Sequence, residues 1–69
     1  MVSTMPKLLG ERIAEGRRLR GMTVEQLARR AGLDPAHIVG YEAGEEPTYS
    51  AFQRISAALK LPYEWFLPR

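Results

Sequence analysis

The side chains able to do chemistry in this chain are arginines, carboxylates and one histidine, and their placement suits contact with phosphates better than bond-making. Acid–base catalysis needs titratable groups converging in a pocket. Here His37 is the single histidine of 69 residues, and there is no cysteine. Disulfides, a cysteine-ligated zinc and a histidine metal cluster are therefore excluded, and the chain reads as no enzyme, with no cofactor and no metal. Residues 1–33 carry seven basic and three acidic side chains, whereas residues 34–69 carry three basic and five acidic ones. A basic half suits a polyanion, and a solvated arginine-rich helix face is the blander reading. Arg12, Arg18, Arg29 and Arg30 are the candidates for phosphate contact.

The elements that must position these groups are marked by caps and stops. Thr23 and Gln26 form a T-x-x-Q capping box, in which hydroxyl and amide satisfy orphan backbone donors at a helix start. Apolar Val24, Leu27, Ala28 and Ala31 follow at helical spacing, and Gly32 can take the left-handed conformation that ends the helix. Asp34-Pro35 is an N-cap with proline at the first helical position, and Ile38 and Tyr41 repeat from there until Gly44. Two short capped helices across a tight junction make a helix-turn-helix, a unit that commonly docks its second helix in the DNA major groove.

The flanking segments read as further helices. Met1 to Met5 is a loose arm, and residues 6–69 form one domain. Pro6 opens a helix to about Arg20, with Leu9 and Ile13 inward and Gly21 as its stop. Thr48 caps a fourth helix with Phe52, Ile55, Ala58 and Leu59 on one face. Leu61-Pro62 breaks it, and Tyr63 to Leu67 form one more turn. No segment alternates as a strand would. The fold class is all-α, five short helices around one core. No apolar run approaches the roughly 20 residues of a membrane span, and no signal-peptide pattern opens the chain, so a cytoplasmic protein is expected.

From about Leu9 to Leu67 the sequence resembles the phage-repressor and Cro-like helix-turn-helix family of bacterial transcription regulators. The residues that carry the likeness are Ala28, Gly32, Ile38, Tyr41, the E-x-G of Glu42-Ala43-Gly44, Pro47-Thr48, and Tyr63-Glu64-Trp65-Phe66-Leu67. The resemblance implies a five-helix bundle of the lambda-repressor type. It implies a structural ion pair between Arg17 and Glu42, and helix 34–43 in the major groove of a palindromic operator. It also implies a nucleoid-associated homodimer, most simply a repressor. Positions that point at bases in the family correspond to Val24, Pro35, Ala36, His37, Val39 and Gly40. Phosphate contacts would come from the helix starts at Thr23 and Asp34 together with the arginines. Tyr63, Trp65 and Phe66 are core or subunit-interface candidates.

The outward face departs from the family pattern. Family members often place glutamine where this chain has Val24, which can touch a thymine methyl but makes no bidentate bond to adenine. Among the base-facing positions only His37 has a hydrogen-bonding side chain, and it reads equally as a solvent-exposed residue of the first turn. Gly40, inside a helix at a cost of about 1 kcal/mol relative to alanine, leaves room for a DNA or protein backbone or is tolerated drift. Glu45-Glu46 follows where basic or amide groups are usual, and two carboxylates repel phosphate. The alternative expectation is thus a protein-interaction module, antitoxin-like or adaptor, with weak DNA binding.

Overall fold

A computed structural model describes residues 5–67. Its helices are α1 (Met5–Leu19), α2 (Val24–Ala31), α3 (Pro35–Glu42), α4 (Tyr49–Leu59) and α5 (Tyr63–Phe66), with no strand among the described residues. The all-α, five-helix expectation matches this order, and α2–α3 is the helix-turn-helix. The expected arm lies outside the described residues except for Met5, which heads α1 one residue before Pro6.

Local chemistry sets the boundaries. Both bonds of the Thr23–Gln26 capping box form, at 2.8 and 3.1 Å. Gly32 sits at φ 70°, ψ 35°, the left-handed region that glycine enters without a Cβ clash. The Thr48 hydroxyl accepts the Ala51 N–H and starts α4. Helix α3 stops at Glu42 with Ala43 as its cap, two residues earlier than Gly44.

Helix α1 packs on α3, α2 packs on both α3 and α4, and α5 closes over α1. Between them Ile13, Leu27, Ile38, Ile55, Leu59 and Phe66 are almost wholly buried, with the small Ala28 and Ala31 where α2 meets its neighbours. Leu61, which as a helix breaker reads as loop, turns inward and joins this core. Phe52 meets Tyr63 and Phe66 edge-on, with ring centroids 5.2 and 5.1 Å apart, the arrangement the ring quadrupoles favour. No polar or charged residue is fully buried among the described residues.

Two glycines show how tightly the layers are set. A Cβ on Gly10 of α1 would run into the backbone carbonyls of Tyr41 and Glu42 at the end of α3. A Cβ on Gly40 would meet instead the carboxylate of Glu45, the far end of a flexible side chain. Gly10→Ala is therefore expected to destabilise the fold by about 1–3 kcal/mol through overpacking. Gly40→Ala, gaining helix propensity, should be neutral or stabilising by up to about 1 kcal/mol. Urea unfolding of both variants checks the contrast, and equal effects would refute it.

Candidate nucleic-acid interface

The site is built on one exposed surface of the helix-turn-helix, and its rear is anchored by a guanidinium. Arg17 of α1 donates from Nε to Glu42 Oε2 at 2.7 Å and from Nη2 to Glu42 Oε1 at 3.1 Å. Its Nη1 donates to the Met22 carbonyl at 3.0 Å, just before α2. The side chains of the pair are only 16% and 14% exposed. The Glu42 hydrogen bond raises the Arg17 pKa above its ordinary value, while burial works against it. A base raised in this way contributes stability below its ordinary pKa and loses it only as pH climbs past the folded value. Arg17 is thus charged throughout the neutral range, and the pair serves as scaffold.

With that rear face closed, α3 turns Pro35, Ala36, His37 and Val39 to solvent. Val39 is 56% exposed, the most open large apolar side chain of the helix. The His37 ring lies beside Tyr41, with centroids 6.2 Å apart and planes within 25°, so the neighbouring ring steers the one hydrogen-bonding side chain of this face. Gly40 is half-buried, covered by Glu45 of its own chain. Val24, at the start of α2, is also half-buried and packs against the core, leaving part of its surface free.

The two helix starts are unequal. At α3 the Ala36 N–H is taken by Asp34 Oδ1 at 2.8 Å, the His37 N–H by the Asp34 carbonyl at 2.9 Å, and Pro35 has no N–H. Asp34 is therefore a cap whose own anion sits at the N-terminus of α3. At α2 the capping box uses the N–H groups of Thr23 and Gln26, and the Leu27 N–H bonds the Thr23 carbonyl. The intervening donors of Val24 and Glu25 stay available to an anion.

The arginines also divide. Arg18, Arg29 and Arg30 are exposed, and Arg29 and Arg30 line a shallow cleft with Gln26 and Met22. Arg12 stands 4.8 Å from the Trp65 ring centroid and pairs with Glu15 at 2.9 Å. On α1, Gly10 and Arg17 look toward α3, whereas Arg12 and Gly16 look toward Trp65. That places Arg12 with α5 rather than with the helix-turn-helix face. Arg20 donates to the Leu59 and Lys60 carbonyls at 2.7 and 3.1 Å, satisfying the end of α4. Sequence reasoning missed this role, because a contact across 39 residues leaves no periodic trace. Among the interface candidates Phe66 is core at 1% exposure and Trp65 is half-buried beneath Arg12, which leaves Tyr63, 53% exposed.

The helix-turn-helix family profile matches residues 13–66. The chain belongs to the helix-turn-helix family. It is 39% identical over 57 residues to the protein named HTH-type transcriptional regulator RghRB of Bacillus subtilis (strain 168), which is itself uncharacterized. That match covers 80% of this chain and 41% of the relative, so the chain spans about two-fifths of the relative's length. The crystal structure of the restriction-modification controller protein C.AhdI from Aeromonas hydrophila superposes with a TM-score of 0.88 at 24% identity. It covers 94% of this chain and 100% of that one, a likeness of fold. The wild-type restriction-modification controller protein C.Esp1396I gives 0.84 at 27% identity, over 94% of this chain and 86% of that one.

Among the described residues no group of three or more His, Cys, Asp or Glu converges to hold a metal, and no helix is long and apolar enough to cross a membrane. Truncating either member of the anchoring pair, as Arg17→Met or Glu42→Ala, should cost roughly 2 kcal/mol or more of unfolding free energy. The double variant should cost less than the sum of the two, with a coupling of at least about 1 kcal/mol. Strict additivity in denaturant unfolding would show that the two groups act independently.

Proposed function

We propose that this chain is a double-stranded DNA-binding transcription regulator that lays α3 in the major groove. The observation that carries this reading is the free surface of the helix-turn-helix. Helix α3 packs through Ile38, Tyr41 and Glu42, and the side left open is the one that reaches base edges in this motif. Base contacts come from Pro35, Ala36, His37 and the free part of Val24, while Gly40 lies beneath the Glu45 carboxylate. Phosphates are met by the open N–H groups after Thr23 and by Arg18, Arg29 and Arg30. Arg12 lies toward α5, and we assign it to the scaffold.

We infer that two copies bind a palindromic operator. One α3 of eight residues spans a single half-site, and a second copy placed one helical turn away doubles the contact. Tyr63 offers the exposed aromatic for that pairing. A repressor blocking a promoter is the simplest output of such a dimer, and the regulator named for the Bacillus relative supports the reading.

The test is binding of the whole chain to duplexes selected from a random pool, across a salt series. A defined palindrome is expected, bound by two chains, with affinity falling as salt rises. Arg29→Ala and Arg30→Ala should each reduce the salt slope by about one contact per chain and weaken all sequences alike. Arg12→Ala should leave the slope unchanged. No binding at low salt, together with stoichiometric capture of a protein partner by the α3 face, would replace this reading with that of a protein-interaction module.

A further inference from the structure

The surface of α3 carries a charge that does not belong to α3. Gly40 and Ala36, four residues apart, share the outward stripe of the helix. Over Gly40 lies the carboxylate of Glu45, so close that a Cβ there would collide with Oε1 and stand 2.9 Å from Cδ. The placement is anchored through the backbone, since the Glu45 N–H donates to the Gly40 carbonyl at 2.9 Å. Among the described residues Glu45 forms no salt bridge, and it is exposed. An unpaired carboxylate thus sits on the middle of a face otherwise short of hydrogen-bonding groups.

We propose that Glu45 is a specificity-determining residue of the DNA interface, its carboxylate accepting a hydrogen bond from a cytosine N4 amine in the major groove. The proposal rests on the DNA-binding reading above. An ionised carboxylate only accepts hydrogen bonds. Phosphates repel it, so its favourable partner on a duplex is a base-edge donor. Guanine and thymine present acceptors in the major groove, and adenine sets its N6 amine beside the N7 acceptor. Cytosine offers the amine without that neighbour. Gly40 is then the space that admits the reading group from the following loop, and the negative charge weakens binding to every duplex that lacks the amine in register.

Bound-sequence selection, followed by titration of point-varied duplexes, tests this with the full chain, Glu45→Gln, Glu45→Ala and Gly40→Ala. Glu45 is exposed and its side chain makes no hydrogen bond or salt bridge among the described residues, so the fold should tolerate its replacement. The wild type should prefer cytosine at one position of each half-site by at least about fivefold. Glu45→Ala should lose that preference at that position alone, and Glu45→Gln should move it toward adenine, whose N6–N7 edge matches an amide. Gly40→Ala, by pushing the carboxylate aside, should weaken the same preference. A uniform change of affinity on all duplexes would overturn the proposal and leave Glu45 a general repulsive charge, as would an unaltered preference at every position. Failure of the wild type to bind any duplex at low salt would instead sink the DNA-binding reading itself.

Discussion

One guanidinium holds the recognition frame together. Arg17 engages Glu42 with two nitrogens and the Met22 carbonyl with a third, so a single rigid fork ties α1, the entry to α2 and the end of α3. The planar fork suits this task because its donors are fixed relative to one another, whereas an ammonium would hold one partner and leave the others to solvent. Partial burial makes the arrangement interdependent, since removing either charge strands the other away from water. The close approach of α1 to α3 at Gly10 lets the pair reach so short a distance. Backbone contact and charge pairing therefore fix the same helix crossing.

Because the frame is closed from behind, the residues that carry stability differ from those proposed to read DNA. Ile38 and Tyr41 turn toward the core and Glu42 toward α1, while Pro35, Ala36, His37 and Val39 contribute little to packing. An outward face made of proline, alanine and valine offers shape and methyl groups to a groove, which distinguish thymine but read other bases poorly. On the proposed reading, discrimination falls on the few polar atoms near that face, those of His37 beside Tyr41 and of Glu45 folded over Gly40.

What was legible in the sequence was whatever depends on neighbours in the chain. The capping box at Thr23, the turn at Gly32, the Thr48 cap and the stripe of Phe52, Ile55 and Leu59 are settled within one or two helical turns, and the structure shows them as read. The Arg17–Glu42 pair spans 25 residues and was readable only because the family resemblance supplied it. Contacts of equal span that no motif announces stayed hidden: Arg20 on the end of α4, Arg12 over Trp65, Gly10 against α3. Composition counted all these arginines as positive charge. Geometry assigns several of them to the scaffold.

That reassignment changes the electrostatics of the interface. In the described part of the basic first half, Arg12, Arg17 and Arg20 are engaged within the fold, which leaves Arg18, Arg29 and Arg30 exposed. Each phosphate neutralised contributes roughly 0.9 to the salt slope on duplex DNA, so on the proposed contacts one chain would show only a shallow dependence and a weak sequence-independent hold. The Glu45 and Glu46 carboxylates lower that hold further. A monomer built this way would dissociate readily from arbitrary DNA, whereas two copies fixed to one another would double the phosphate contacts and both sets of base contacts at once. On the proposed reading, pairing would convert a poor tether into a selective one, and the loop charges would penalise the duplexes that do not answer them.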